Sequence, residues 1–226
     1  ACHDIVVSAN QFEENRDALR CTNGYNLCMT GNCLDDHLRH GVVIENTYGS
    51  VVSGNMIEEC RGTAILLDRD CYGDTVSANV IAHNFGGGVD LRDAWGCAVS
   101  ANTFTLSIAH GIRIGPASGR HAITGNSFSN SYIGDGKLRR RKPSQDAARG
   151  IVLDGTSDVT IAGNTFTGLA ESAVKATSEC KRLVVSANVV ADTSRAAPGE
   201  HPPLDLGDAE TTTGHNAIAW PPKAKP

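Results

Sequence analysis

The sequence predicts an all-β chain, a right-handed parallel β-helix of about eight coils of 22–24 residues. Two observations carry this. Asparagines recur as Asn10, Asn32, Asn55, Asn79, Asn102, Asn126, Asn164 and Asn188, at spacings of 22, 23, 24, 23, 24, 38 and 24 residues. Each follows a small or β-branched run and a Gly or Ala, as in Val99-Ser100-Ala101-Asn102-Thr103-Phe104. A fixed period in the twenties marks a solenoid. About nine residues after most asparagines comes a short strand of alternating character: Gly41-Val42-Val43-Ile44, Ala64-Ile65-Leu66-Leu67, Gly88-Val89-Asp90-Leu91, Gly111-Ile112-Arg113-Ile114 and Gly150-Ile151-Val152-Leu153. Residues two apart on a strand face the same way. No segment of 10–12 residues keeps a helical apolar period, so three short strands per repeat read as a β-helix.

Each coil is expected to run strand, Asn turn, strand, turn, Gly strand, turn. At the Asn turn the residue itself is expected to tolerate left-handed backbone, with its amide bonding the equivalent Asn of the next coil. The first four coils, to about residue 94, are compact, with Asp35-Asp36-His37, His40 and Glu58-Glu59 in turns. The period breaks once, at a loop over 131–148 that contains Lys137-Leu138-Arg139-Arg140-Arg141-Lys142. Insertions in solenoids map to loops on one face, often the binding face. Residues 1–210 are read as the β-helix domain and 211–226 as a C-terminal tail. Cys2 precedes Asn10 as Cys71 precedes Asn79 and Cys180 precedes Asn188, so the chain opens in mid-coil. A solenoid core needs covering at its ends. The domain is therefore expected to be the C-terminal part of a longer protein, with an upstream segment, a partner chain or a second copy over that end.

Composition bounds the function. The chain has 226 residues, 40% of them hydrophobic, 24 glycines and only 5% aromatics, which suits a narrow aliphatic core. A net charge of −5 without an extended basic face argues against nucleic acid. No run of 18 apolar residues exists to span a membrane. The eight cysteines read as buried thiols, with one or two disulfides as the open alternative. None has Cys-x-x-Cys zinc spacing. No metal site and no cofactor is predicted; a divalent cation such as calcium stays open.

Chemistry is expected on the outward face of the Gly strands. Aligned coils give one column of Arg20, Val43, Leu66, Asp90, Arg113, Val152 and Lys175, and another of Thr22, Glu45, Asp68, Arg92, Gly115, Asp154 and Thr177. His40 and His110 precede the strands, and Glu14, Asp36, Glu59 and His83 share a turn column. Asp68 and Asp90 lie one coil and two residues apart, about 8 Å by strand geometry. A separation of roughly 6.5–9.5 Å suits an inverting glycosidase pair. Crowding by Glu45 makes Asp68 the expected proton donor, while Arg113 is expected to hold Asp90 as the base. His110 completes this catalytic set. Glu45, Arg92, Arg113, His40, His83, Lys137 and Arg139 are the expected substrate-binding residues. Surface salt-bridge ladders, Asp90 with Arg113 and Asp68 with Arg92, are the competing structural explanation.

The repeat resembles the pectin-lyase-like right-handed parallel β-helix proteins over nearly the whole chain. His110-Gly111-Ile112-Arg113-Ile114-Gly115 resembles the His-Gly-x-x-Ile-Gly segment of polygalacturonases, and Val89-Asp90 resembles an aspartate-bearing strand of that family. No paired Asp-Asp occupies the strand at Asp90, and Gly150-Ile151-Val152-Leu153 replaces the Arg-x-Lys strand. Asp35-Asp36-His37 resembles the acidic-His clusters of epimerases. The resemblance implies a secreted, cell-surface or periplasmic protein acting on a polysaccharide, as a hydrolase, lyase or epimerase. The alternatives are a non-catalytic glycan-binding module and a structural, tailspike-like one.

Overall fold

The computed structural model describes residues 2–129 and 149–219, and among them there is no helix. The chain is a right-handed parallel β-helix in which three long sheets run the length of the solenoid, every pairing parallel. A nine-stranded leading sheet runs from Val6–Ser8 to Thr211–Gly214, just before each Asn turn. A nine-stranded trailing sheet, Gln11–Glu13 to Ala217–Ile218, follows it. The eight-stranded glycine sheet includes Leu19–Thr22, Val42–Glu45, Thr63–Asp68, Gly87–Leu91, His110–Ile114, Arg149–Leu153, Val174–Ala176 and Leu204–Asp205.

The asparagines stack in one column. Asn79 shows the pattern: its Nδ2 donates to Asn102 Oδ1 at 3.0 Å and to the Val52 carbonyl at 2.9 Å, and its Oδ1 accepts Asn55 N at 2.9 Å and Asn55 Nδ2 at 3.0 Å. Buried amides are thereby satisfied without water. The left-handed residue is the one before each Asn, not the Asn itself. Ala9, Gly31, Gly54, Ala78, Ala101, Gly125, Gly163 and Ala187 all have positive φ. That explains the Gly or Ala there, since small residues meet the least steric cost in this conformation.

The column does not end at Asn188. Asn216 Oδ1 accepts both Asn188 N and Asn188 Nδ2 at 3.0 Å. Residues 211–218, read from the sequence as a tail, thus supply a ninth leading and a ninth trailing strand. A spacing of 28 residues between the two asparagines hid this coil.

Glycines in the third sheet have a packing reason. A Cβ on Gly88 would lie 2.6 Å from the Phe104 ring, one on Gly111 2.5 Å from Phe128, and one on Gly150 2.9 Å from Phe166. The three rings stack, with centroids 4.7 Å and 4.6 Å apart. Each buried ring contributes about 1.5–3 kcal/mol. All eight cysteines are unbridged; Cys21, Cys60, Cys71, Cys97 and Cys180 are buried in or beside this core. The insertion at 131–148, with Lys137 and Arg139, lies outside the described residues.

Candidate functional site

Strand pairing sets the outward column in the register Arg20, Val43, Leu66, Asp90, Arg113, Val152, Lys175 and then Asp205. Thr22, Glu45 and Asp68 share a second one. The coil stacking thus places the expected residues on one sheet face. Their side chains partner differently from expectation.

Glu45 is 4% exposed. Its carboxylate takes Arg20 Nη2 at 2.6 Å, Thr22 Oγ1 at 3.2 Å and Arg69 Nε at 3.5 Å. Two guanidinium groups neutralise it, so it is no bare negative neighbour for Asp68. Asp68 Oδ1 accepts the Arg69 backbone N–H at 2.9 Å, capping a turn in which Arg69 and Asp70 are both left-handed. The expected proton donor is committed to its own turn.

Asp90 is 2% exposed, and Arg92 Nε donates to its Oδ2 at 2.9 Å. Arg113 instead reaches Asp154, at 3.6 Å, on the following coil. Arg92 projects from the same face two residues along, and its guanidinium folds back onto Asp90 although Arg113 is the register neighbour. Asp90 Oδ1 is buried without a partner.

His110 pairs in register with Arg149 on the next coil. Its ring occupies the space over Gly87, where a Cβ would lie 2.5 Å from Nε2. Nε2 is buried and unpartnered. Burial pushes the His110 pKa down to about 4, against the pull of Asp90 and with the repulsion of Arg113, Arg149 and Arg92. The imidazole is therefore uncharged at neutral pH. Arg149 is held in a two-point pair with Glu171, at 2.5 and 3.2 Å.

Asp90, Arg92 and His110 thus form one cluster, edged by Arg113 and Arg149. The other candidates stand apart. His40 Nδ1 accepts the Thr63 N–H at 3.0 Å, and its own N–H donates to Asp17 Oδ1 at 3.1 Å; burial lowers its pKa. Arg39 pins Asp17. His83 sits 3.7 Å from Glu59 in the left-handed turn column. His37 is fully buried, with Nδ1 accepting the Asn15 N–H at 3.2 Å, a ladder role. Among the described residues, no three His, Cys, Asp or Glu side chains converge where they would hold a metal ion.

Sequence reading missed two features. Arg149 and Glu171 follow the interrupted repeat, where alignment by period fails. The second is an aromatic column, Tyr25, Tyr48, Tyr72 and Trp95, in the two-residue strands and bridges that follow the glycine strands. Its spacings of 23, 24 and 23 residues repeat those of the asparagines.

No curated protein matches the chain. Among solved structures, the periplasmic alginate epimerase AlgG superposes with a TM-score of 0.76 at 14% identity, over 94% of this chain and 51% of that one. The A-module of the Azotobacter vinelandii mannuronan C-5 epimerase AlgE6 gives 0.55 at 14% identity, over 97% and 59%. Geobacillus virus E2 ORF18 gives 0.53 at 10%, over 96% and 53%. The chain thus spans between half and three-fifths of the length of these proteins, and what it shares with them is the fold. The family model described as periplasmic copper-binding protein (NosD) matches residues 1–141, more than half of the chain, and the protein belongs to that family.

Proposed function

We propose that the protein acts on an acidic polysaccharide laid along the glycine sheet, with His110 and Asp90 as the acid–base pair and arginines facing the sugar carboxylate. The observation that supports this reading is the uncharged His110, with an unengaged Nε2, in a cluster with Asp90 and Arg92. A neutral imidazole accepts a proton. When that proton comes from the carbon next to a uronate carboxyl, charge builds on the carboxyl, and Arg92, Arg113 and Arg149 are the cations at hand to stabilise it. Epimerisation returns a proton from water to the opposite face, and elimination expels the neighbouring glycosidic oxygen, which takes up the proton that His110 has accepted. The alginate and mannuronan epimerase names of the superposed structures favour this chemistry over hydrolysis. Hydrolysis needs two free carboxyl groups, and Asp68 caps its own turn.

A second reading is a glycan-holding face without chemistry. The run of ion pairs favours it, from Arg20–Glu45 through Arg92–Asp90 and Arg113–Asp154 to Lys175–Asp205, because it satisfies most charges already. Incubation with polymannuronate, alginate and polygalacturonate separates the two. Proton NMR of the uronate composition reads epimerisation, and ultraviolet absorbance of an unsaturated end reads elimination. Turnover lost in His110→Asn and Asp90→Asn supports the first reading. Binding without turnover supports the second, and neither binding nor turnover sinks both.

The family description names copper, and the described residues do not fit it. Copper prefers thiolate and imidazole ligands gathered at one point. Here burial pushes the Cys60, Cys71 and Cys97 thiols up to about 12, the opposite of what a thiolate ligand requires. The family description and AlgG are both periplasmic, which supports an extracytoplasmic location. Among the described residues no helix is long and apolar enough to cross a membrane.

A further inference from the structure

We infer that Tyr25, Tyr48, Tyr72 and Trp95 form a saccharide-stacking rail along the solenoid axis, with Tyr72 and Trp95 as its two platforms. Strand and bridge pairing place His3, Tyr25, Tyr48, Tyr72 and Trp95 at one register position on five successive coils. The column holds three of the chain's four tyrosines and one of its two tryptophans, in a protein with only 5% aromatics. They are not core residues, since Tyr25 is 40% and Tyr72 55% exposed.

The column divides into two halves. At its start the rings lie on each other: His3 and Tyr25 stack at 4.9 Å, and Tyr25 and Tyr48 at 5.7 Å. Further along they lie on glycine. A Cβ on Gly96 would meet the Tyr72 ring at 3.5 Å, and one on Gly119 would meet the Trp95 ring at 3.0 Å. Each ring thus packs against the backbone of the following coil, while Tyr72 keeps 55% of its surface exposed. Flat aromatic faces receive the apolar C–H face of a pyranose, and the hydroxyl edges then seek polar partners. Such partners flank the rail. Tyr48 Oη lies 3.3 Å from Asp70 Oδ2 and 3.4 Å from Asn46 Oδ1, and Asn46 bonds Asn23 at 2.7 Å, while the Arg120 guanidinium lies over the Trp95 ring itself, 5.6 Å from its centroid.

The occupant is one polysaccharide strand parallel to the axis, and the inference rests on the reading of the glycine sheet as a polysaccharide site. Tyr48 and Trp95 each lie three residues beyond Glu45 and Arg92, so the rail borders that face along its whole middle. One coil advances ~4.8 Å, close to the length of one hexopyranose unit, so successive rings meet successive sugars. Arg69 and Arg92, three residues before Tyr72 and Trp95, are paired with Glu45 and Asp90 but keep 67% and 47% of their side chains exposed, which favours a strand that carries carboxylates.

The test is affinity electrophoresis and calorimetry of the whole chain with polymannuronate, alginate and a neutral β-glucan. Tyr72→Ala with Trp95→Ala is expected to weaken binding of whichever uronan the wild type holds by about tenfold or more. Trp95→Phe is expected to keep most of the affinity. If the double variant keeps its melting temperature and binds like wild type, the rail is wrong and the polysaccharide reading stands. If the wild type binds none of the three glycans, both fall. A concentration-dependent dimer abolished by the double variant, with glycan affinity unchanged, would assign the rail to a second copy of the chain and overturn the proposal.

Discussion

Gly87 and His110 occupy the same register on adjacent coils, and the imidazole of His110 fills the space that any side chain at 87 would need. A Cβ there would lie 2.5 Å from Nε2, and Gly87 also has φ of +122°. Gly87→Ala is therefore expected to destabilise the fold by about 1–3 kcal/mol through crowding and backbone strain. On the proposed reading, displacement of the imidazole is also expected to lower turnover of the uronan substrate. Urea unfolding together with turnover of the same preparation checks both parts.

The site chemistry makes a sharper contrast. Asp68→Asn should leave turnover within a few-fold of wild type, because Asp68 caps its turn. His110→Asn should reduce it by about 10²-fold or more, the usual loss on removing a general base. Equal losses in the two variants would return the paired-carboxylate mechanism to first place.

Acid should weaken the protein in a predictable window. His110 and His121 are both held near pKa 4 by burial, below the ordinary histidine value of 6.5. Between those values the unfolded chain binds more protons, so the stability they contribute is complete above about pH 6.5 and is lost as pH falls towards 4. Asp74 acts in the opposite sense. Burial raises its pKa from 3.8 to about 6, so its contribution is complete below pH 3.8 and is lost as pH rises through 6. Its Oδ1 accepts the Ser50 N–H at 2.7 Å while Oδ2 is buried without a partner. Asp74→Asn keeps that acceptor and removes the buried charge. It is expected to stabilise by about 1–3 kcal/mol above pH 6 and by little near pH 4. Thermal melts across pH 4–8 read the crossover.

The asparagine column should be strongest in its middle. Asn79→Ala removes the two bonds that Nδ2 donates and the two that Oδ1 accepts, at a site 1% exposed and an expected cost of about 2–5 kcal/mol. Asn10 is exposed and accepts from no earlier asparagine among the described residues, so Asn10→Ala should cost under about 1 kcal/mol. Equilibrium denaturation of the pair decides whether buried amide pairing, rather than the turn itself, holds the coils in phase.

The coil phase was legible because one residue type must recur wherever a buried turn repeats. Counting from the asparagines placed Asp90 beside Leu66 and Arg113 correctly, since backbone register follows from period alone. It did not place side-chain partners. Arg92 bonds Asp90 on its own strand rather than Asp68 one coil earlier, a choice set by side-chain rotamers that spacing does not encode. Asn216 was missed because a long proline-bearing turn stretches that coil. The aromatic column was missed because a two-residue strand is too short to show alternation of polar and apolar residues, and only the repeat of spacing reveals it.

The amide column also has a direction. From Asn10 to Asn188, every Nδ2 donates to the Oδ1 of the asparagine one coil later in the sequence. The two ends of the column are therefore chemically unlike: Asn10 turns an acceptor backwards along the axis, whereas Asn216 Nδ2 donates to the Val185 carbonyl and to no later asparagine among the described residues. A further coil stacked before Asn10 would have to bring an amide donor to that position, and one stacked beyond Asn216 an acceptor.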